Sequence, residues 1–400
     1  MTQMETEAPP ALAEVAKLDE WVHIPTPGDH YSPRTGSAVI TVIQQMTRCH
    51  LAAGGRARVL VAEGTWDGFE DGVRVEIPFR RLGTPSKFAK VFDRAIGSIT
   101  SRRPLSGRPY IDAANALGPD YDGIVFVHNE PSGVEPIASR CPKARVCLWV
   151  HNQLFTTYTR RQARRVVEQA HRVICVSEFI ARGVRAKAGN DPRIVSVLNG
   201  VDTEKFVPAD PPPRNDPPVI LFIGRMVPEK GPDLLLKAAI ELKRQGVRFK
   251  LRMVGSQNFN SADSPSPFQQ QLVNCAASLD GMVEFLPFQP RSRVVEIYQG
   301  ADLMCVPSNW DDPCPLTILE GMACGLPVAA SHRGGVAELA GSAAAYFEPP
   351  NHFELATRLR SLIAEREILK TVGAAGRERA HQFSWTTAHY RLASLLSRKT

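Results

Sequence analysis

Short apolar runs rich in Val, Ile, Leu and Phe recur along the chain, separated by longer stretches with helical spacing. In the first half EWVHI (20–24), RVLVA (58–62), GIVFVHN (123–129), RVCLWVHN (145–152), RVICVS (172–177) and IVSVLNG (194–200) read as strands. The second half offers VILFIG (219–224), KLRMVG (250–255), VEFLPF (283–288), LMCVPS (303–308), PVAAS (327–331) and AAYFEP (344–349). Between them lie stretches such as DLLLKAAIELKRQG (233–246), with apolar residues at helical intervals. Continuous apolar strands alternating with helices predict parallel sheets covered on both faces. ADPPPRNDPP (209–218) holds five prolines in ten residues and reads as a linker with little regular structure. The pattern predicts two doubly wound α/β domains, with a cleft at the carboxyl ends of their strands where ligands bind. The closing run WTTAHYRLASLLSRK (385–399) is amphipathic at helical spacing, and residues 1–15 are expected to be loosely held.

Composition narrows the class without changing this picture. At 43% hydrophobic and 22% charged residues, the chain is neither a disordered tail, a collagen-like fibre nor a disulfide miniprotein. No run approaches the roughly 20 apolar residues of a membrane-spanning helix. The start, MTQMETEAPPALAEVAKL, lacks a basic segment followed by an apolar run, so a cytoplasmic location is expected. The eight cysteines form no CxxC pair and most sit among apolar neighbours, as buried free thiols do. Residues 51–200 hold 23 Lys and Arg against 14 Asp and Glu, a net +9, while the other 250 residues hold 25 against 27, a net −2. A basic first half suits a phosphorylated or acidic ligand, or is a solvated surface. Nucleic acid is not expected, because the basic stretches lack an aromatic stacking platform.

Three segments carry chemistry. In WDDPCPLTILEGMACGLP (310–327) a helix starts behind Pro313 and Pro315 and stops at Gly325. Free N–H groups at its start, at Leu316 and Thr317, can receive a phosphate. Asp312 and Glu320 flank that site; they bind ligand hydroxyls, or else Asp312 caps the helix and Glu320 pairs on the surface. In FIGRMVPEKGPDLLLKA (222–238) a strand ends at Gly224, and Arg225 and Lys230 flank the turn that follows. Arg grips phosphate bidentately and Lys as a point charge; the plain alternative is a basic turn in solvent. SHRGGVAEL (331–339) has paired glycines opening a helix, either for close approach to a ligand or for a tight turn.

In this order the three segments resemble the second half of glycosyltransferase family 4, a retaining family with GT-B architecture. GRMVPEKG resembles its Gly-Arg-x-x-x-x-Lys-Gly turn. DPCPLTILEGMACGLPV resembles its Glu-x7-Glu block, and HRGGVAEL its Gly-Gly-x-x-Glu turn. CVSEFIARGV (175–184), LNGVDTEKF (198–206) and FSWTTAHY (383–390) resemble further family segments. The likeness runs from about residue 145 to 398. It implies a GT-B fold of two Rossmann-like domains facing across a cleft: 1–208 on the acceptor side and 209–384 for the donor. A helix at about 385–400 would cross back to the first domain. Arg225 and Lys230 would then neutralise a nucleotide-sugar diphosphate, Glu320 would hold the ribose, and Asp312 would bind donor-sugar hydroxyls. GRMVPEKG and KLRMVGS would line the base pocket.

Some positions depart from the family. Asp312 replaces the usual first Glu, and Pro315 removes one backbone donor. The family's Gly-Gly loop is represented by Gly36 and Ser37 alone, after a loop (25–35) whose Pro, Gly and polar residues suggest mobility. His151 ends its strand where the family commonly has a His near the donor sugar; a polar contact is expected there rather than a formal base. HNEP (128–131) is a candidate for shaping the acceptor side. Arg160, Arg161, Arg164 and Arg165 share one helical side and are candidates for peripheral contact with the inner membrane face. Asp120-Tyr121-Asp122 reads as a turn rather than a metal motif. The resemblance implies metal-independent transfer, with retention, from a nucleotide-sugar, UDP-sugar by family frequency. The acceptor would be a hydroxyl of a glycan, glycolipid or secondary metabolite, anionic or lipid-linked acceptors included, and no cofactor is required. A non-catalytic sugar-nucleotide or polyanion-binding protein, or a nucleotide-sugar epimerase, are the other readings.

Overall fold

The computed structural model describes residues 19–79, 87–213, 215–257 and 265–397. The expectation for residues 1–15 lies outside them. Two parallel sheets organise the chain. The first contains β1 (Glu20–Ile24), β2 (Arg56–Ala62), β3 (Arg74–Ile77), β4 (Ile124–His128), β5 (Arg145–Val150), β6 (Arg172–Cys175) and β7 (Ile194–Ser196), in the order 3-2-1-4-5-6-7. The second contains β8 (Val219–Ile223), β9 (Lys250–Val254), β10 (Val283–Leu286), β11 (Leu303–Val306), β12 (Val328–Ser331) and β13 (Ala344–Phe347), in the order 10-9-8-11-12-13. Every run read as a strand is one. The strand that the pattern missed, β3, is a short edge strand in which only Ile77 is buried. By contrast β4 and β6 are buried at every residue, the signature of central strands covered on both faces.

The strand orders place the chemistry. Each sheet reverses direction of growth at one point, between β1 and β4 in the first and between β8 and β11 in the second. A crevice opens at such a switch point, outside the carboxyl ends of the strands. The turns after β8 and β11 are GRMVPEK and the segment ending at Pro315; those after β1 and β4 are the 25–37 loop and HNEP.

The 25–35 loop is anchored, contrary to its composition. Tyr31 is fully buried, donates its hydroxyl to Asp71 at 2.5 Å and packs edge-on against Phe69. One large aromatic overrides the local preference of its Pro and Gly neighbours. The terminal helix Trp385–Ser397 packs on the helix Ala38–Ala52 of the first domain. Leu392 and Leu396 join the first domain's core, and His50 Nδ1 lies 3.3 Å from His389 Nε2. Buried Arg172 donates to the Leu395 carbonyl at 3.1 Å, placing a cation at that helix's carboxyl end.

Candidate active site

The second domain builds most of the site from turns that follow its strands. Gly224 N–H donates to Val254 O and Met226 N–H to Ser256 O, each at 3.0 Å, which joins the turn after β8 to the turn after β9. A Cβ on Gly255 would lie 1.9 Å from Gly224 O, so this approach requires glycine. The joined turns push Arg225 outward, where it is exposed and has no ion-pair partner among the described residues. Gly224, Arg225, Gly255 and Ser256 line one cavity with Phe288, Arg291, Thr317 and Glu320, and Gly36 closes it from the first domain. Ser37 is not part of that lining; it sits at the start of the Ala38–Ala52 helix with no side-chain cap bond.

Lys230 and Asp312, expected to have separate tasks, form an ion pair with each other. Asp312 is 5% exposed and does not cap the helix, and Lys230 Nζ also lies 5.4 Å from the centre of the Trp310 ring. The paired glycines of the 331–339 segment explain why the Asp312 loop sits so far in. Gly335 N–H donates to Asp312 O at 2.8 Å, and a Cβ on Gly335 would lie 2.0 Å from Pro313 O. These glycines admit one backbone close to another.

The helix Leu316–Ala323 begins at Pro315 with no side-chain cap, so its first N–H groups stay open to a ligand. Asn199 from the first domain steadies the preceding loop by donating to Cys314 O at 3.2 Å. Glu320 is 4% exposed, and its partners are internal rather than on the surface. Arg291 donates to Oε1 at 2.6 Å and the Tyr298 hydroxyl to Oε2 at 3.0 Å. The Glu320 carboxylate raises the Arg291 pKa further, and burial, then Glu320, lifts the Tyr298 phenol well above its usual range.

On the facing domain, His151 stands at the end of β5, almost buried, with its backbone N–H donating to Asn129 Oδ1 at 2.9 Å. Burial pushes its ring down to about 3, so it is neutral at physiological pH and suited to hydrogen bonding rather than to proton abstraction. Its Nε2 lies 2.9 Å from His128 Nδ1. His128 is fully buried, so the expected acceptor-shaping role of HNEP fails at this residue: its ring turns into the sheet, not the cleft. Glu338, the acid of the Gly-Gly-x-x-Glu turn, crosses between domains. Its carboxylate accepts from Glu178 N and Phe179 N, both at 2.7 Å, at the start of the helix Glu178–Ala188.

Arg291, Tyr298 and Glu338 were missed as site residues, and His128 was assigned to the acceptor side rather than to the support of His151. Only Glu338 had a local signal, its place in the glycine turn. Of the four arginines expected to share a face, Arg160, Arg161 and Arg164 are exposed on the helix Arg160–Gln169, but Arg165 is paired with Glu135 at 2.8 Å. Glu135 also binds Arg102, so the fourth charge is drawn into a local cluster. Asp120 lies in a turn and pairs with Lys143 at 2.7 Å. Among the described residues no three His, Cys, Asp or Glu side chains converge as a metal site requires, and no helix is long and apolar enough to cross a membrane.

Comparison with known proteins agrees with this architecture. Residues 39–205 match the family described as Glycosyltransferase Family 4, and residues 204–379 match Glycosyl transferases group 1. The chain belongs to the GT-B glycosyltransferases of the family 4 type. It is 33% identical over 237 residues to a D-inositol 3-phosphate glycosyltransferase of Geodermatophilus obscurus, covering 55% of this chain and 51% of that protein. It is 24% identical to spore coat protein SA of Bacillus subtilis over 68% of this chain and 77% of that one. The chain thus spans about half the length of the first of these curated relatives. Its fold is similar to that of sucrose-phosphate synthase from Thermosynechococcus elongatus, with a TM-score of 0.74 at 17% identity over 94% of this chain and 98% of that one. Anabaena Alr3699/HepE in complex with UDP-glucose gives 0.69 at 18% identity, over 95% and 99%.

Proposed function

We propose that the protein is a retaining glycosyltransferase that moves a sugar from a nucleotide-sugar, UDP-sugar by preference, to an acceptor hydroxyl without using a metal. The observation that carries this reading is the shared cavity of Arg225, Thr317 and Glu320, where an unpaired cation and an uncapped helix start meet a fixed carboxylate. Negative charge grows on the leaving diphosphate as the sugar takes on oxocarbenium character. Arg225 and the open N–H groups are suited to that charge, and donors aimed at developing charge lower the barrier. Glu320, held by Arg291 and Tyr298, has lone pairs left for the ribose hydroxyls. Diphosphate binding would draw Lys230 from Asp312 and free that carboxylate for the sugar hydroxyls. His151, neutral, would contact the sugar or the leaving oxygen. No side chain in this reading serves as a nucleophile, so departure and attack share one face of the sugar.

The acceptor we infer carries phosphate or another anion. The net +9 of residues 51–200 and the relatives named for an inositol phosphate support this. Exposed Arg160, Arg161 and Arg164 keep peripheral contact with an anionic membrane surface within the proposal. A second reading, binding of a nucleotide-sugar without transfer, is favoured by one observation: Lys230 and Asp312 neutralise each other.

The test is a thermal-shift and turnover screen against UDP-, GDP- and ADP-sugars in EDTA, with Glu320→Ala alongside. Stabilisation by one nucleotide, its slow release from the sugar, and loss of both in the variant are expected. Stabilisation with no release would leave the binding reading, and no shift with any donor would overturn both.

A further inference from the structure

Behind His151 lies a buried chain of rings that the proposed reaction does not use directly. His23 Nδ1 is 3.0 Å from His128 Nε2, and His128 Nδ1 is 2.9 Å from His151 Nε2. His23 and His128 lie on adjacent strands β1 and β4, and His151 directly follows the next strand, β5, so the sheet itself sets their spacing. His23 and His128 are fully buried. Phe126 stacks on His23 at 4.7 Å and Trp149 on His128 at 5.3 Å, which leaves little freedom for ring flips.

We propose that His128 and His23 are positioning residues that fix His151 as its Nδ1–H tautomer, so that it offers the cleft a neutral N–H donor and not a bare ring nitrogen. The functional part rests on the reading of the cleft as a sugar-transfer site; the tautomer does not.

The argument is a proton count. Burial keeps the rings neutral, taking His23 and His151 down to about 3 and His128 well below its usual value. Each neutral ring carries one N–H. His128 is bonded through both nitrogens, so it donates on one side and accepts on the other, and the chain has a direction. In one direction His151 donates from Nε2 to His128, His128 donates to His23 Nδ1, and the His23 proton sits on Nε2. That atom is buried and has no partner among the described residues, so this direction seals an orphan N–H in the core. In the other, His23 donates to His128 and His128 to His151 Nε2. His23 Nε2 is then a bare lone pair, and the His151 proton is on Nδ1. Orphan buried N–H groups are rarer than under-satisfied acceptors, which selects the second direction. His151 Nδ1 has no protein partner among the described residues and is not sealed from solvent, so its N–H is open to a ligand. Asn129 fixes the same residue through its backbone; it adopts φ +57° and its Oδ1 accepts from His151 N.

A donor N–H in the cleft has a chemical consequence. It can stabilise charge growing on an oxygen, whereas a bare nitrogen would repel it. A free histidine side chain prefers the Nε2–H form, so the chain of rings would be enforcing the less common tautomer.

The experiment is a long-range 1H–15N correlation spectrum of the full chain labelled at histidine nitrogen, with His151 assigned by its absence from His151→Gln. The Nδ1–H pattern is expected for wild type. It is also expected for His128→Asn, whose carboxamide can place an N–H at the Nδ1 position, while His128→Phe should revert to Nε2–H. A wild-type Nε2–H pattern, or an unchanged tautomer in His128→Phe, overturns the proposal. The wild-type spectrum decides the tautomer even if a variant fails to fold. For turnover, His128→Phe should lower kcat roughly 10- to 100-fold with little change in donor KM, and His128→Asn should restore most of it. An Nδ1–H spectrum with unchanged kcat in His128→Phe would overturn the functional part. Absence of transfer by wild type would instead overturn the transferase reading and leave the tautomer standing.

Discussion

Replacing Arg291 with Met tests whether the Glu320 carboxylate is held ready by its partner. The guanidinium lies 2.6 Å from Glu320 Oε1, with the acid side chain 6% exposed and the base 32% exposed. Removing one member of a fully buried pair costs about 3–5 kcal/mol, because the other charge is left uncompensated. Arg291 keeps a third of its surface in water, so screening lowers the figure to about 2–3 kcal/mol. Tyr298 still donates to Oε2 and limits the loss further. For a domain of this size each kcal/mol moves Tm by roughly 2–4 °C, so a fall of about 5–10 °C is expected. Glu320→Gln keeps the shape and strands only the cation that keeps a third of its surface in water, so it should cost about 1 kcal/mol. The double variant should lose at least about 1 kcal/mol less than the sum of the singles, since the residues are in contact. Urea unfolding and thermal scans of the four proteins, with and without UDP, give the cycle. Additive losses would refute the reasoning, as would an Arg291→Met protein with wild-type Tm and wild-type stabilisation by UDP.

Other outcomes follow from single contacts. Arg225→Ala should weaken UDP binding about 10- to 100-fold by titration calorimetry with stability within about 0.5 kcal/mol of wild type, because the side chain is exposed and has no ion-pair partner among the described residues; a large loss of Tm would place it in the fold instead. Glu338→Ala removes acceptors for two backbone N–H groups and should cost about 1–2 kcal/mol, read as faster hydrogen exchange at Glu178 and Phe179; unchanged exchange at both amides would oppose it. Burial depresses the His23 and His151 rings to about 3 and His389 to about 4. These rings are neutral when folded and take up protons on unfolding. Their contribution to stability is complete above about pH 6.5 and is lost as pH falls toward about 4 for His389 and about 3 for His23 and His151, by up to roughly 1.4 kcal/mol per pH unit for each ring. Calorimetry in buffers of different ionisation enthalpy should find uptake of more than one proton near pH 5; uptake of less than one would contradict it.

The strands and the cleft's place were legible in the residues because they depend on local order. Apolar runs mark the central strands, and glycine and proline mark the turns at their ends. Among the described residues only the short edge strand β3, with a single buried residue, escaped this pattern. The turn holding Arg225 and Lys230 and the helix start at Leu316 were visible for the same reason. What the charged groups do to one another was not. Lys230 and Asp312 are 82 residues apart, Arg291 and Glu320 are 29 apart, and His23 and His128 are 105 apart. Those pairings arise because parallel strands, and the turns that follow them, bring segments distant in the chain side by side within one domain. By itself the sequence determined which segments become strands, turns and helix starts, since propensity and periodicity act over a few residues. Tertiary structure alone decided which charges are free, which are paired and which rings are neutral, because burial and distance, not residue type, set those terms.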